Sequence, residues 1–220
     1  MRPVVLFGNG RVASLAHFYL THDSEREVAA FTVDRDHVTD GTLFGLPVVP
    51  ADEVLVRFPP DRFDMFVAVG YGRINKFREG KYLQVKEMGY ELISYVSSKA
   101  TVWPGTEIGD NCFIMENNVI QPFATIGNDV IMWGGSFVGH ESVIKDHCFV
   151  ASHVVISGAV TIEPNCFIGV NATIRDEITI ARECVIGAGA VIMKSTKERE
   201  VLTGPPAQLL AFSSDRLPRI

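Results

Sequence analysis

The sequence lacks both a long apolar segment and a dense basic cluster. Of its 220 residues, 20 are Lys or Arg and 26 are Asp or Glu, which gives a formal net charge of -6 at pH 7. No run of basic residues is dense enough to follow a phosphate backbone, so we do not expect a nucleic-acid partner. No stretch approaches the ~20 apolar residues that cross a bilayer, and Gly8 and Gly10 interrupt the apolar start. We therefore expect a soluble, cytoplasmic protein without a membrane span.

Cysteine is also scarce, and the spacing of the four cysteines argues against a disulfide framework. They are Cys112, Cys148, Cys166 and Cys184, whose numbers differ only by multiples of eighteen. A structure that repeats with this period would place these side chains one above another, pointing the same way. Because a reducing cytoplasm also disfavours disulfides, we interpret them as small buried thiols without a redox or metal role.

Eighteen is three times six, and six is the period of the second half of the chain. Every sixth residue from Val102 to Ile192 is aliphatic or Met, and the position four residues later is mostly small. Neither a helix nor an ordinary strand meander has this period, which is typical of a parallel β-helix with three hexads per coil. The sixteen hexads predict about five coils. Their flat exposed faces favour a homotrimer.

Residues 1–99 have a different pattern, that of a small α/β domain with a Rossmann-like parallel sheet. A buried strand at Val4–Phe7, a Gly-containing turn, a helix over residues 12–20 and a strand at Val28–Val33 follow one another. Further strands are predicted at residues 63–69 and 90–96, with a helix at about 73–88. We predict three parts: the α/β domain at 1–99, the β-helix at 100–195 and a C-terminal tail at 196–220.

The first turn of the α/β domain is a candidate nucleotide site. Gly8, Asn9, Gly10 and Arg11 open the first helix, where backbone N–H groups and the helix dipole favour a diphosphate. Asp34 follows the second strand and is placed to accept hydrogen bonds from a ribose or a base.

The chain resembles the left-handed β-helix acyltransferases, specifically the nucleotide-linked amino-sugar N-acetyltransferases and sialic-acid O-acetyltransferase-like proteins. The resemblance covers nearly the whole chain. It is carried by the βαβ opening, the strand end at residues 67–70, the hexads, Val138-Gly139-His140-Glu141 and Gly204-Pro205-Pro206-Ala207. It implies a trimer with acetyl-CoA in the groove between prisms, and a nucleotide sugar held by the N-terminal domain, where Gly70 and Tyr71 join the binding residues.

Three residues are candidates for the chemistry. Acyl transfer needs a base, a group that orients it and a donor for the oxyanion. We assign His140 as the base and Glu141 as its orienting partner. Gly158 follows His140 by one full coil of three hexads and is therefore expected to stack on it; the resemblance implies that its N–H binds the oxyanion.

The acetyl-CoA site is predicted from the end of the β-helix. Gly204, Pro205, Pro206 and Ala207 resemble the turn that covers the adenine end of CoA in the relatives. Gln208 stands where a basic residue is expected, so Lys194 and Lys197 are candidates for the 3'-phosphate. Gly158 would contact the thioester end.

Besides Gln208, the chain departs from the family pattern at three places. Trp133 and Phe149 are large and apolar where relatives often carry polar groups near the base, which leaves open a different acceptor, a larger acyl group or a repacked trimer seam. The Gly-rich turn is short and has Arg11 beside Gly10, which puts its diphosphate contact in question.

The predicted activity is N-acetylation of a nucleotide-linked amino sugar for surface polysaccharide, such as lipopolysaccharide. O-acetylation of a sugar hydroxyl is the close alternative. A carbonic-anhydrase-like zinc enzyme and a non-catalytic trimeric scaffold are more distant ones. No metal is expected, because His140, His147 and His153 have different registers in the three-hexad repeat and Asp146 stands where such a zinc enzyme would have a ligand.

Overall fold

The structure is a computed structural model that describes residues 1–209 together with 211 and 216. It contains an N-terminal α/β unit followed by a triangular parallel β-helix, called the prism below. Within the predicted C-terminal tail (196–220), positions 210, 212–215 and 217–220 lie outside the described residues.

The α/β unit is built on a five-stranded sheet flanked by helices. Its elements are β1 (Val4–Phe7), α1 (Arg11–His22), β2 (Val28–Val33), a 3-10 turn (Arg35–His37), β3 (Thr42–Leu43), β4 (Leu46–Pro50), α2 (Val54–Arg57), β5 (Asp64–Val67) and α3 (Lys76–Glu87). The strand order is β3-β4-β2-β1-β5. β1 lies between β2 and β5 and is wholly buried, as its apolar sequence predicts for a parallel strand covered on both faces.

The sheet is parallel except at its edge, where β3 runs antiparallel to β4. Only Phe44 and Gly45 connect these two strands, and both have positive φ, 51° and 78°. A two-residue connection makes a hairpin, since a parallel pair needs a long crossover. The predicted parallel sheet is therefore a mixed sheet with one short hairpin.

α3 begins later than the predicted residue 73. Arg73, Ile74 and Asn75 have φ of 53°, 52° and 63°, and three left-handed residues cannot continue a right-handed helix. Asn75 is buried, and its side-chain amide donates to the Cys166 carbonyl in the prism at 3.0 Å. This turn therefore fixes the start of α3 on the prism.

The prism has three flat faces of parallel strands. The first face contains Tyr95–Val96, Phe113–Ile114, Ile131–Met132, Phe149–Val150, Phe167–Ile168, Val185–Ile186 and Val201–Leu202. The second contains Thr101–Val102, Val119–Ile120, Phe137–Val138, Val155–Ile156, Thr173–Ile174 and Val191–Ile192. The third contains Glu107–Ile108, Thr125–Ile126, Val143–Ile144, Thr161–Ile162 and Thr179–Ile180. The ladders extend from Tyr95 to Leu202, beyond the predicted limits of 100 and 195.

The hexad residues point inward and stack coil on coil. Val138 pairs with Ile120 on one side and Ile156 on the other, a shift of one coil each way. All four cysteines are free and buried in this core. Burial raises the pKa of the Cys112 thiol to about 12. The thiols therefore remain protonated at neutral pH, in keeping with their interpretation as packing groups.

The α/β unit packs against the first face of the prism. Phe113, Ile131 and Phe149 belong to the same buried cluster as residues of β1 and α1. Beside this apolar contact, the fully buried Arg78 of α3 donates to Asp129 Oδ1 at 3.0 Å and to the carbonyls of His147 and Cys148. The first face is thereby covered, while the opposite corner of the prism is left free.

Candidate active site

His140 lies at the corner between the second and third faces of the prism. Its side chain is 61% exposed, because the chain turns outward two residues after the inward Val138. The backbone is fixed on both sides: the His140 N–H donates to Gln121 Oε1 at 3.0 Å, and its carbonyl accepts from the Ala159 N–H at 2.8 Å. A rigid backbone thus presents a solvent-accessible imidazole.

Gly158 lies directly against this imidazole. A Cβ added to Gly158 would stand 2.6 Å from His140 Nε2 and 2.8 Å from Cε1, well inside van der Waals contact. Gly158 does not have the positive φ that requires glycine at a turn, so the reason for glycine here is the close approach of the ring. Among the described residues no acceptor binds the Gly158 N–H. A donor beside the ring is therefore available to a ligand.

Glu141 follows His140 at the same corner. It has a φ of 58°, and its Oε2 is 3.4 Å from His140 Nδ1, with 64% of its side chain exposed. The carboxylate is thus on the side of the ring away from Nε2. This contact orients the ring loosely and leaves Nε2 for a substrate.

The other two prism histidines occupy different corners. His147 lies between the third and first faces, buried, with Nδ1 2.8 Å from Asp129 Oδ2. His153 lies between the first and second faces, exposed, and its ring stacks on Gly135. The Gly135 N–H, however, already donates to the Glu116 carbonyl at 3.1 Å. Only the His140 pair thus combines, among the described histidines, an exposed ring with a free glycine N–H.

No metal centre is evident in the part of the chain that the structure describes: it contains no group of three or more His, Cys, Asp or Glu side chains placed to share an ion. Within the same residues, no helix is long and apolar enough to cross a membrane.

The predicted nucleotide residues gather around a cavity of about 400 Å³ in the α/β unit. Six of them line it: Gly8, Asn9, Gly10, Arg11, Asp34 and Gly70. Gly8 has a φ of 135°, and a Cβ there would be 2.6 Å from the Ala68 carbonyl oxygen, so only glycine fits. The cavity lies at the carboxyl ends of β1, β2 and β5, where ligands bind in sheets of this kind.

Tyr71 is the predicted residue that does not line this cavity. Its ring packs on Phe149 and Phe167, with centroid distances of 4.8 and 5.0 Å. Phe149 is only 2% exposed, and Trp133 lies 6.0 Å from it. Trp133 and Phe149 therefore lie on the first face beside the α/β unit, and not at the His140 corner of the same chain.

Sequence reasoning missed several residues at these sites. The cavity of the α/β unit is also lined by His37, Phe77 and Val33, and Lys81 pairs with Asp34 at 2.6 Å. Phe77 and Lys81 are four residues apart in one helix, so their side chains lie on the same helix face. This spacing was the available sequence signal for their contact.

The predicted acetyl-CoA residues lie at two corners. Lys194 follows Gly158 by two coils, so it stands above His140 and Gly158 on their own corner, at steps of about 4.8 Å. Gly204, the first residue of the 204–207 segment, instead packs beside Gly189, where a Cβ on Gly204 would be 2.9 Å from the Gly189 carbonyl carbon. The two groups therefore flank the second face instead of meeting on one edge.

The His140 corner and the cavity of the α/β unit do not meet within one chain. The α/β unit covers the first face, and the His140 corner is the vertex opposite that face. No prism residue lines the cavity among those described. A site that used both would need two chains.

Comparison with solved structures places this architecture among known acetyltransferases. PerB from Caulobacter crescentus, in complex with CoA and GDP-perosamine, is 25% identical with a TM-score of 0.83, over 94% of this chain and 96% of that one. The acetyltransferase domain of PglB from Neisseria gonorrhoeae FA1090 is 25% identical with a TM-score of 0.80, over 96% and 100%. WeeI from Acinetobacter baumannii AYE is 21% identical with a TM-score of 0.78, over 96% and 100%, and shows the fold alone.

These similarities define the class of protein. The predicted fold, a small α/β domain followed by a left-handed β-helix, is confirmed, and so is the resemblance to hexapeptide-repeat acetyltransferases. Residues 93–202, half of the chain, match the family model described as GMPPB C-terminal domain, and the chain belongs to that family.

Proposed function

We propose that this protein transfers an acetyl group from acetyl-CoA to the amino group of a nucleotide-linked sugar. The observation that carries the proposal is the exposed His140 ring lying on Gly158, whose N–H is free. PerB, a structure with the same fold, is described with CoA and GDP-perosamine bound, which supports the same pair of substrates here.

The residues at the corner divide the chemistry among them. The sugar amine attacks the thioester carbonyl, and His140 Nε2, the ring nitrogen against Gly158, accepts the proton that the amine loses. The Gly158 N–H donates to the carbonyl oxygen as it becomes negative, a contribution of ~3 kcal/mol. The C–S bond then breaks, and the leaving sulfur takes the proton from the His140 imidazolium, so that CoA departs as a thiol and His140 returns to its neutral form. Glu141 supports the ring from the Nδ1 side.

The acetyl-CoA arm is proposed to lie along the His140 corner and the adjoining second face. Gly158 takes the thioester end, and Lys194 stands two coils further along the same corner, where its ammonium would meet a phosphate. The segment from Gly204 to Ala207 borders the other side of the second face. A CoA lying across that face would contact both groups.

A homotrimer would complete the site. The cavity belongs to the α/β unit, which covers the first face, and the His140 corner lies opposite that face, so a sugar held in the cavity would reach His140 on a neighbouring prism. Closed three-fold symmetry lets flat prism faces cover one another and repeats the site three times. Light scattering should therefore return three times the chain mass; a monomer that is active would contradict the shared site.

The acceptor is proposed to be an amine made in the cytoplasm for a surface polysaccharide such as lipopolysaccharide. An O-acetyltransferase would use the same residues, but one solved structure with the same fold is a perosamine N-acetyltransferase from Caulobacter crescentus, which favours nitrogen. The diphosphate of this substrate would be held at the start of α1 by Gly8, Asn9, Gly10 and Arg11.

The proposal is tested by thiol release from acetyl-CoA with a panel of GDP-, UDP- and TDP-linked amino sugars. We expect turnover with at least one of them and a loss of about 10²- to 10⁴-fold in kcat for His140→Ala. The matched control is His153→Ala, another exposed histidine stacked on a prism glycine, which should retain full activity. An unchanged rate for His140→Ala would overturn the assignment of the base.

A further inference from the structure

Asp34 presents an electrostatic difficulty for a nucleotide cavity. Its carboxylate lines the same cavity as Gly10 and Arg11, where the proposed function places a diphosphate. A second anion in so small a cavity would repel the diphosphate, most strongly where the walls exclude water. The neighbouring Arg35 does not offset this charge, because its guanidinium is held by Asp52 and Glu53 at 2.8 Å each.

Lys81 is the cation that pairs with Asp34. Its Nζ lies 2.6 Å from Asp34 Oδ1 and 3.0 Å from Gln84 Oε1. The ammonium also stands 5.3 Å from the ring centroid of Phe7 and 5.6 Å from that of Phe77. Phe7, Phe77 and Asp34 all line the cavity, whereas Lys81 does not, so Lys81 contacts three lining residues without being one itself.

The two members of this pair are exposed to different degrees. The Lys81 side chain is 15% exposed, whereas that of Asp34 is 36% exposed. Lys81 engages Oδ1, and no donor binds Oδ2 among the residues that the structure describes. Because Asp34 lines the cavity and Lys81 does not, a ligand there would contact Asp34 and not Lys81, and Oδ2 is the carboxylate oxygen left to accept a hydrogen bond from it.

From this geometry we infer that Lys81 is a positioning residue for nucleotide recognition. It neutralises Asp34 and holds the carboxylate so that Oδ2 accepts a hydrogen bond from an N–H or O–H of the nucleoside, while the diphosphate lies at the start of α1. The inference rests on the proposed function, since it takes the cavity to be the nucleotide site. It predicts that Lys81 affects nucleotide affinity through Asp34 and leaves the acetyl-transfer step alone.

The test measures binding of GDP and UDP by calorimetry without acetyl-CoA, so that it is independent of acetyl transfer. Lys81→Met keeps the apolar stem against Phe7 and Phe77 but leaves Asp34 an unpaired anion. We expect the Kd of the preferred nucleotide to rise about tenfold. The double variant Lys81→Met with Asp34→Asn should recover part of this loss, because the unpaired charge is gone. Lys81→Arg, which keeps the charge, should bind better than Lys81→Met.

Lys86→Met is the matched control. Lys86 is on the same helix and forms a 2.7 Å ion pair with Asp110 of the prism, away from the cavity, so its loss should leave the Kd unchanged. In steady-state assays of Lys81→Met, KM for the nucleotide sugar should rise while kcat stays near that of the wild type.

The possible outcomes separate the inference from the proposed function. Wild-type binding of a nucleotide together with an unchanged Kd in Lys81→Met would overturn the inference alone. A double variant no better than Lys81→Met would show that Lys81 does not act through Asp34. If Lys81→Met does not fold, Lys81→Arg and Asp34→Asn still test the inference. The same nucleotide Kd in these two variants and in the wild type would contradict a positioning role for Lys81. Failure of the wild type to bind either nucleotide would overturn the nucleotide cavity itself.

Discussion

Gly158→Ala is a precise perturbation of the candidate site, because it adds one carbon and keeps the backbone N–H. The new Cβ would stand 2.6 Å from His140 Nε2, 2.8 Å from Cε1 and 3.2 Å from Cδ2. Ordinary van der Waals contact needs about 3.5–4.0 Å, so the ring has to move by about 1 Å. His140 is exposed and free to swing outward, and Gly158 lacks the positive φ that penalises alanine. The fold should therefore survive.

A displacement of this size has a predictable kinetic cost. Misplacing a reacting group by about 1 Å lowers the rate about 10²-fold, so kcat for acetyl transfer should fall by about that factor in Gly158→Ala. The KM for acetyl-CoA should change far less, since the N–H is retained. Ser157→Ala, at the same corner, adds no atom and should behave as the wild type.

The assay is thiol release under saturating substrates, with the melting temperature measured on the same samples. If the loss arises from the ring, the double variant His140→Ala with Gly158→Ala should be no worse than His140→Ala alone, because the two changes act on one group. Full activity in Gly158→Ala would refute the contact between glycine and base, and a melting temperature lowered in proportion to the rate would trace the loss to folding instead.

Two further predictions concern stability. Arg78→Met removes the guanidinium partner of the buried Asp129 carboxylate and leaves it only His147 and Asn111 as partners, so the free energy of unfolding should fall by up to about 3–5 kcal/mol in denaturant titrations. Adding Asp129→Asn should restore part of this loss, and no restoration would contradict the charge argument. Hydrogen bonds from Ser98 and Tyr95 hold the pKa of Asp23 well below its ordinary value of 3.8. Because the folded pKa is the lower one, the stabilisation is present above about pH 4 and lost as the pH falls further. Thermal melts should show Asp23→Asn to be less stable than the wild type at pH 7, with the gap closing in acid; a gap that persists unchanged at low pH would refute the linkage.

The prism could be predicted because its six-residue period determines on which face or corner each residue lies. With three hexads per coil, a shift by three hexads always means one step along the same corner, so the approach of Gly158 to His140 follows from counting. The same counting assigns His147 and His153 to other corners. Regular repetition leaves few competing arrangements, and the inward Ile and Val residues enforce the register.

The six-residue period does not specify which face of the prism the α/β unit covers. The packing of Phe149 under Tyr71 depends on the docking of the α/β unit on the first face, a contact between residues far apart in the chain. The Lys81–Asp34 pair likewise joins α3 to the end of β2. Such pairings depend on how elements pack, which local patterns do not specify.

The edge hairpin was missed for a local reason. Phe44 adopts a positive φ, which is uncommon for a bulky aromatic residue, so the Phe-Gly dipeptide carries a weaker turn signal than Asn-Gly. From the sequence, residues 41–50 consequently read as a loop in which only residues 47–49 are extended.

The most direct test of the central claim is to identify the product formed from acetyl-CoA labelled in its acetyl carbonyl. Nuclear magnetic resonance of the nucleotide sugar should show the label in an amide on the sugar nitrogen, formed in equal amount to the free CoA and at the wild-type rate in His153→Ala, but only at a trace rate in His140→Ala. A label found in an ester, or amide formation that does not depend on His140, would contradict the account.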